Sequence, residues 1–541
     1  MAKRRNYFLP DEPLCNPGHH RPRTRRELIA QGFALGTGTV VAGSMLSLFA
    51  PRAGAAISAD LQAQLTSLCS TGGASGGSMI PFLCFDLAGG ANFAGSNVLV
   101  GGKGGQLDFL STAGYSVLGL PPALLPSAGT ATGGFDSSCG IAFHSLSALL
   151  KGIKATASPA AMTNTNGAVI AARSENDTSN NPHNPMYGIY RAGARGSLVN
   201  LIGSQNSDSG GNSMAPTMLI DVSARPTKVD SPSDVTGLVG TSSSYTPPLA
   251  QTDTVAAMES MKRISDVGID AAGAKYTVDV TARTAAKCEI LKSVDNTDKF
   301  GALSPDPRLD PLIAGGTAGS STYTSIFPGG VSANGEFSKT ASVMKLVVGK
   351  DNSDKHYAAA GTITMGGFDY HTGDRTTGEL RDERAGQCIG ACLEYAHRLG
   401  KPVMIYVFSD GSISSSGMVD GSAAAQGKAV WTSDNQGTGS AFFLVYNPAG
   451  RATPNIAVPT GAGPQIGWFK MDGTVDTTSS PAANSVIQLV DTVVLNYLGL
   501  HASWANTHDP ALLAQALNKP AASILGGSAN WSRYLAFNPI A

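Results

Sequence analysis

The stretch that decides the fold runs from residue 358 to residue 417 and reads AAAGTITMGGFDYHTGDRTTGELRDERAGQCIGACLEYAHRLGKPVMIYVFSDGSISSSG. An apolar run ends in two glycines, and FDYH follows at residues 368–371. Apolar residues then recur at helical spacing until Gly-Lys-Pro at 400–402, where proline ends the pattern. The next run, VMIYVF at 403–408, is typical of a strand buried on both faces, and SDGS follows at 409–412. The stretch predicts a strand, a helix and a second strand, with acidic residues just past each strand's carboxyl end, where open α/β sheets place their sites.

Length and charge set outer bounds on function. The chain has 541 residues, which is enough for one large domain or two ordinary ones. Only 14% of the residues are charged and the formal net charge is −1, so we expect no nucleic-acid partner. The 65 glycines and the Ser- and Thr-rich loops suit an exported protein better than a cytosolic one.

The first 56 residues have the pattern of an export signal. A twin-arginine motif, TRRELI, occupies residues 24–29, a weakly apolar segment spans 32–50, and AGAA at 53–56 offers small residues for cleavage. A transmembrane anchor is the alternative, but the low hydrophobicity and the cleavage site favour a signal peptide. We therefore predict a signal peptide at 1–56, a folded part at 57–541, and a periplasmic or extracellular location with no membrane span after cleavage.

Further elements extend the α/β pattern along the chain. Three more apolar runs predict core strands, at residues 79–87, 167–172 and 441–446. An amphipathic helix is predicted at 484–500. Between about 225 and 340 the pattern weakens, apart from one helical stretch at 254–267, and we interpret this region as an insertion or cap.

Two polar segments beside these strands are candidate binding sites. Asp86 ends the first run, and the Gly-rich turn after it contains Ser96 and Asn97, which could lie near a helix start that favours an anion. A plain turn with a solvated acid is the alternative. His183 lies between prolines in a polar loop after the second run, and it is either a binding imidazole or part of a surface loop.

The remaining histidines are interpreted as structural or superficial. Residues 140–150 predict a short helix with an apolar face, on which His144 is expected to be a packing residue. His501 and His508 fall in the last forty residues, and we expect both of them on the surface.

The cysteines leave the disulfide pattern open. Cleavage of the leader removes Cys15 and leaves six cysteines, for which 15 pairings exist. Cys388 and Cys392 lie one helical turn apart, and we expect them to pack as small apolar residues rather than to form a bridge or bind metal.

The order of these motifs resembles a known family. In sequence they are GGAN at 89–92, the loop around His183, GGFDYH at 366–371, SDG at 409–411, DNQGTGSA at 434–441 and DTVVLNYLGL at 491–500. Together with the twin-arginine leader they resemble the DUF1501 family of exported bacterial proteins, distant members of the alkaline phosphatase and sulfatase superfamily. The resemblance covers most of residues 81–500 and leaves the middle region unmatched.

The resemblance implies an alkaline phosphatase-like fold, which is a three-layer α/β sandwich with a mostly parallel central sheet. It implies divalent metals at the strand ends (Zn, Ca, Mg or Mn), which activate a Ser or Thr nucleophile and clamp a phosphate or sulfate ester. Carried over by position, the metal ligands are Asp86, Asp369, His371 and Asp410, the nucleophile is Ser96, and His183 binds substrate or metal.

Two departures from the family pattern weaken the implied site. No histidine follows Asp410, and Asn435 stands where family members carry an imidazole after the acid. We therefore expect an exported protein with a partly degenerate metal site, non-catalytic or weakly active, that binds a small anionic ester or an envelope partner. The alternative is a metal-dependent hydrolase of phosphate or sulfate esters, and a purely structural surface protein is a third interpretation.

Overall fold

The computed structural model describes residues 57–68, 79–130, 132–174, 181–239, 251–276, 279–300, 306–351, 354–371, 373–456, 458 and 461–541. The predicted signal peptide at 1–56 lies outside these residues. The chain divides into two compact units. The described residues of Met1–Gly72 and Val239–Ala302 form the smaller unit, and those of Gly73–Leu238 and Leu303–Ala541 form the larger one.

The strands among the described residues all belong to the larger unit. In chain order they are β1 (Phe82–Leu87), β2 (Phe135–Asp136), β3 (Phe143–His144), β4 (Thr165–Ala171), β5 (Val199–Gly203), β6 (Thr227–Lys228), β7 (Gly316–Ala318), β8 (Ser321–Tyr323), β9 (Ala358–Met365), β10 (Val403–Phe408), β11 (Ile413–Val419), β12 (Ala429–Asp434), β13 (Ser440–Tyr446) and β14 (Gln465–Ile466).

The helices belong to both units. In chain order they are α1 (Ala59–Leu68), α2 (Thr112–Val117), α3 (Ala148–Thr156), α4 (Pro159–Thr163), α5 (Met186–Arg191), α6 (Pro232–Leu238), α7 (Gln251–Tyr276), α8 (Val280–Phe300), α9 (Pro311–Ala314), α10 (Gly335–Val348), α11 (Thr376–Leu399), α12 (Pro481–Asn484), α13 (Val486–Gly499), α14 (Ala502–Ala505) and α15 (Pro510–Leu517).

An eight-stranded, mostly parallel sheet forms the centre of the larger unit, in the order β14-β4-β13-β10-β1-β9-β5-β6. β1 lies between β10 and β9 and is parallel to both, whereas β13 is antiparallel to its two neighbours. Every residue of β1, β9 and β10 is buried, as their continuous apolar sequences predict. The predicted α/β class is confirmed at this level, as a mixed α/β protein with helices around a central sheet.

The predicted strand-helix-strand unit is β9-α11-β10. α11 ends at Leu399 and is capped by Gly400, which has a left-handed φ of 61°, and Pro402 follows directly before β10. Successive residues of β9 point to opposite faces of the sheet, and each face is covered by a helix. A Cβ at Gly361 would lie 2.6 Å from Val343 of α10, whereas the hydroxyl of Thr362 lies 3.9 Å from the sulfur of Met186 in α5.

The smaller unit is built around the helical hairpin α7-α8. The predicted helix at 254–267 is part of α7, which extends well beyond it. A small core joins the helices and contains Ile57, Leu61, Val255, Leu291 and Val294. Residues of the predicted insertion at about 225–340 occur in both units, since the described part of 303–340 lies in the larger one.

Three local predictions, one about a segment and two about histidines, can be compared with the structure. Residues 140–147 are not helical, because β3 pairs with β2 there and α3 begins only at Ala148. His501 is wrongly predicted as a surface residue. It is 4% exposed, its Nδ1 contacts Tyr497 O at 2.8 Å, and its Nε2 accepts from Ile80 N at 3.0 Å. His508 is exposed, as expected.

The cysteines of α11 pack as predicted. Cys388 and Cys392 are buried and free, as are Cys84 and Cys139. Burial raises the pKa of the Cys388 thiol to about 12, which keeps it protonated and unreactive. Cys288 of α8 is disulfide-bonded.

α11 and α3 touch through glycine backbones. A Cβ at Gly386 would lie 2.0 Å from Leu149 O, and a Cβ at Gly152 would lie 2.0 Å from Glu383 O. Such distances are far inside van der Waals contact, so each helix must carry glycine where it crosses the other. This close crossing fixes the position of α11, whose amino-terminal half lies beneath the site described below.

We expect Gly386→Ala to lower the free energy of unfolding by about 2 kcal/mol or more, because the added methyl group forces the helix backbones apart. The measurement is urea unfolding followed by circular dichroism. Gly335→Ala, at a helical position with no atom within 4 Å of the added carbon, is the matched control and should lose nothing. Equal losses in the two variants would contradict the close crossing.

Candidate metal centre

The carboxyl ends of three neighbouring parallel strands define the edge where the candidate site lies. Asp86 of β1 pairs with Phe408 of β10, and Leu87 pairs with Met365 of β9. The three strands therefore end level with one another, and the segments that follow them leave the sheet side by side. The predicted acidic residues are carried by these strand ends and the segments after them.

The segment after β9 is held by alternating buried and exposed side chains. Phe368 and Tyr370 are buried, whereas the side chains of Asp369 and His371 are 61% and 35% exposed. Phe368 N also donates to Ala88 O at 3.1 Å, which ties the segment to the turn after β1. The two buried aromatic rings thus anchor the segment and present an acid and an imidazole to solvent.

Gly89 allows this segment to approach the turn after β1. Its φ is 129°, and a Cβ on it would lie 2.4 Å from Asp369 N, so any other residue would be strained and would collide. Gly89 N donates to Asp410 Oδ1 at 2.7 Å. Asp369 and Asp410, which are far apart in sequence, therefore flank the same turn.

Asp369, His371 and Asp434 form a compact cluster at this edge. His371 Nε2 lies 2.6 Å from Asp369 Oδ1 and 3.4 Å from Asp434 Oδ1. One ligand atom from each residue lies within 4.8 Å of the others, and the described part of the chain offers no second group of this kind. All three side chains are at least one-third exposed, so the cluster is open to solvent.

Asp434 was missing from the predicted ligand set. It ends β12, which forms a two-stranded ribbon with β11, and its pairing with Ile413 brings it back to the sheet edge. The pairs Gly373 N to Trp431 O and Trp431 N to Asp374 O then join the ribbon to the segment after His371. The sequence signal was the acid beside Asn435, but the ribbon that positions it is not evident from local pattern.

Asn435 has a structural task of its own. Its Oδ1 accepts from Gly437 N at 2.7 Å and caps the short 3-10 helix Gln436–Thr438. The amide oxygen of Asn435 is therefore already hydrogen-bonded within the loop.

The donor set of the cluster fits a divalent ion. Tetrahedral zinc with donors at about 2.1 Å holds them about 3.4 Å apart. The His371–Asp434 separation of 3.4 Å meets that spacing, and the 2.6 Å between His371 and Asp369 would have to widen by less than about 1 Å. Exposed side chains can make that movement by rotation. One imidazole and two carboxylates suit zinc or manganese better than calcium, which takes six to eight oxygen ligands.

Asp86 lies deeper, and its oxygens are occupied by protein donors. Oδ2 accepts from Asn212 N at 2.7 Å and from Ser213 N at 2.9 Å, and Oδ1 accepts from the Ser213 hydroxyl at 2.9 Å. Burial, with a smaller contribution from the charge of Asp410, raises the pKa of Asp86 to about 6 although the bonds from Ser213 oppose the shift. Asp86 anchors the loop after β5 to the end of β1.

Asp410 is hydrogen-bonded to the same loop as Asp86. Its Oδ2 accepts from Asn212 Nδ2 at 3.2 Å, so the two predicted acids meet through one asparagine. Neither of them belongs to the Asp369-His371-Asp434 cluster. The structure thus divides the four predicted ligands into an exposed pair, Asp369 and His371, and a buried pair.

Ser96 lies in a tight turn rather than at a helix start. Gly95 N donates to Val98 O at 2.8 Å, and the next helix begins only at Thr112. Ser96 is fully buried, and its hydroxyl has no hydrogen-bond partner among the described residues. Its role as a nucleophile stays a prediction.

His183 is buried beside a very small cavity. It is 4% exposed, it stacks on Phe408, and neither ring nitrogen has a hydrogen-bond partner in the described part of the protein. Burial lowers the pKa of His183 to about 3, so the ring is neutral. The adjoining cavity of about 10 Å³, which Ser440 also lines, has room for about one water molecule. A binding role for His183 stays a prediction.

A buried polar network supports the exposed cluster from below. Tyr370 donates its hydroxyl to Asp382 Oδ1 at 3.0 Å, and Asn97 Nδ2 donates to Asp382 Oδ2 at 2.7 Å. Burial, reinforced by the nearby charge of Glu379, raises the pKa of Asp382 to about 7. Because Tyr370 lies between Asp369 and His371, its bond to α11 restricts the segment that carries both candidate ligands.

Comparison with known proteins adds no assignment. A search against family models found no match for the chain, and a search of curated proteins found none either. Fold and site define a mixed α/β protein with a mostly parallel central sheet and an Asp-His-Asp cluster at its carboxyl edge. Among the described helices, none combines the length and apolar character that a membrane crossing requires.

We expect Asp382→Asn to flatten the pH dependence of stability between about pH 4 and pH 7. In the native protein Asp382 keeps its proton up to about pH 7, whereas the unfolded chain loses it near the ordinary value of 3.8. Rising pH therefore favours unfolding in that window, by about 1.4 kcal/mol per pH unit from this group.

The measurement is urea unfolding of both proteins at a series of pH values, with the variant subtracted from the wild type. Titrating groups that do not interact with Asp382 cancel in that difference. A variant that is less stable by the same amount at every pH would contradict the raised pKa.

Proposed function

We propose that this protein is an exported envelope protein that binds one divalent cation through Asp369, His371 and Asp434 and uses it to hold a small anionic ester or an anionic envelope partner. The observation that carries the proposal is the cluster itself, with His371 Nε2 at 2.6 Å and 3.4 Å from two carboxylate oxygens at the carboxyl edge of the sheet. The bound ion would supply positive charge for an anion to coordinate. The protein's own residues supply the shape and the open approach.

The exposure of the cluster supports a binding role. Three protein ligands leave one or more coordination positions open, and the side chains face solvent, so an anion can reach them. Tyr370, fixed to Asp382, limits the movement of the first two ligands, so less ordering is required when a ligand binds.

The buried acids argue against a two-metal hydrolytic centre. Superfamily enzymes use paired metals to stabilise both the attacking and the leaving oxygen. Asp86, the natural ligand for a second ion, is instead hydrogen-bonded by the loop at 212–213, and Asn435 caps a turn. A second ion at Asp86 would have to displace these backbone donors.

We include in the same proposal an alkaline phosphatase-like fold and export of the chain. An alkaline phosphatase-like three-layer sandwich agrees with the strand arrangement around β1, and the middle region would be its inserted cap. The DUF1501 resemblance and the twin-arginine leader support export to the periplasm or the cell exterior.

We expect the wild type to bind one equivalent of Zn²⁺ or Mn²⁺, and Asp434→Asn to weaken that binding at least 10-fold, because an amide is a poorer ligand than a carboxylate. His371→Gln should weaken it further by removing the nitrogen donor. Isothermal titration calorimetry with the metal alone measures both constants.

Asp472→Asn is the matched control, since Asp472 is an exposed aspartate outside the cluster whose Oδ1 accepts hydrogen bonds from Thr474. It should bind metal like the wild type. If all three variants and the wild type bind with the same affinity, or if the wild type binds no metal, the cluster is not a metal site.

The alternative function is hydrolysis of phosphate or sulfate esters. The same open coordination position favours it, since catalytic zinc sites also combine three protein ligands with a water molecule. The buried Ser96 hydroxyl has no hydrogen-bond partner among the described residues, so a hydrolase would have to rely on the ion and its water.

We expect the metal-loaded wild type to release no more product from an aryl phosphate or an aryl sulfate than Asp369→Asn does under the same conditions. Absorbance of the released phenol measures this, with melting curves to show that both proteins are folded. Turnover by the wild type that Asp369→Asn abolishes, with an unchanged melting curve, would establish the hydrolase instead.

A further inference from the structure

An exposed stripe of apolar and small residues runs along α7 in the smaller unit. Met261 and Ile264 are 50% and 44% exposed, and Val267 beside them is 71% exposed. The stripe, which we call the α7 stripe, consists of Ala257, Met261, Ile264, Gly268 and Ala271, all of them exposed. Their alternating spacing of four and three residues is that of a helix–helix seam.

The α7 stripe is separate from the face that holds the unit together. Val255 packs with Leu291 and Val294 of α8, and Lys262 is buried and ion-paired with Asp266. The hairpin core thus uses other positions of the helix. A seam pattern on the solvent side indicates a second helical contact rather than core packing.

We propose that the α7 stripe binds the α7 stripe of a second copy of this chain, with the two helices antiparallel and Ile264 on the twofold axis. A twofold contact brings the same surface of both copies together, so the stripe must be complementary to itself when reversed. Reversal about Ile264 places Ala257 opposite Ala271 and Met261 opposite Val267.

The shapes and sizes along the stripe agree with that pairing. No atom lies within 4 Å of the position a Cβ would take on Gly268, so the stripe has a notch there. In the reversed register Met261 of the second copy lies opposite Val267, directly beside the notch, and its flexible side chain adapts to such gaps. The two alanine positions let the helix ends approach closely.

Charges at the two ends of the stripe select the antiparallel orientation. Asp253 lies eleven residues before Ile264 and Lys275 lies eleven residues after it, and both are exposed. The antiparallel register therefore sets each Asp253 beside a Lys275 of the other copy. A parallel register would place Asp253 beside Asp253, which costs stability. The five stripe positions themselves carry no charge, so nothing within the seam opposes self-association.

Sedimentation of the full chain tests the proposal over a range of concentrations. We expect a monomer–dimer equilibrium for the wild type and a dissociation constant about 100-fold higher or more for Ile264→Glu, because two carboxylates would meet on the axis. Circular dichroism and melting curves verify that the variant is folded.

A charge exchange tests the register independently. Asp253→Lys and Lys275→Asp should each weaken the dimer, because each single variant places like charges across the seam. The double variant should restore the dimer, because it again places opposite charges there. Single variants that leave the dissociation constant unchanged, or a double variant as weak as the singles, would overturn the antiparallel register.

Cross-linking locates the twofold axis. Ile264→Cys should form a disulfide-linked dimer of this chain under mild oxidation, whereas Ala282→Cys, at an exposed position of α8, should not. A wild type that stays monomeric at all concentrations, or one whose association is unaffected by Ile264→Glu, would refute the proposal. This result is independent of the metal site, because none of the stripe residues takes part in the cluster.

Discussion

The contact between Gly89 and Asp369 is the constraint on which the site depends. Only a glycine can adopt a φ of 129° there while bringing its α-carbon against the backbone of Asp369, and the same residue donates its N–H to Asp410. This turn therefore sets the separation between the segments that follow β9 and β10. A bulkier residue would push the Asp369–His371 segment away from the sheet and from the ribbon that carries Asp434.

Burial decides which acidic residues at this edge can perform chemistry. Asp86 lies near the end of β1 and Asp369 lies in the segment after the neighbouring β9, so both are aspartates at the carboxyl edge of the same sheet. Asp86 is enclosed by a loop that donates hydrogen bonds to both of its oxygens, whereas the Asp369 side chain is 61% exposed and its Oδ1 lies 2.6 Å from His371 Nε2. Asp86 therefore links the loop to the strand, whereas Asp369 is accessible to a ligand from solvent. Asp86 is buried because it lies within the central strand β1 and is covered by the loop at 212–213, whereas Asp369 lies beyond the end of β9.

Local pattern in the sequence was sufficient for the sheet and insufficient for the complete site. The run at 403–408 matches β10 residue for residue, because a strand buried on both faces needs uninterrupted apolar residues. Asp369 and His371 could be found from their place after β9. Asp434 could not, because β12 reaches the edge through its pairing with β11, and that pairing is irregular. The error at residues 140–147 has a similar origin, since the apolar residues there are buried by long-range contacts, including the bond from His144 N to Asn97 O at 2.9 Å.

The rigidity of the three proposed ligands is unequal, and this limits how tightly the cluster can hold an ion. Asp369 and His371 flank a tyrosine that is fixed to α11, so their backbone is ordered in advance. Asp434 lies on a two-stranded ribbon, and a ribbon of two strands alone has little stability of its own. In addition, the ion has to compete with a proton, because an imidazole binds metal only through a deprotonated nitrogen and His371 Nε2 is already within hydrogen-bonding distance of Asp369. An ion bound at such a site would exchange readily, and this agrees better with the proposed reversible binding of an anionic partner than with a permanent catalytic metal.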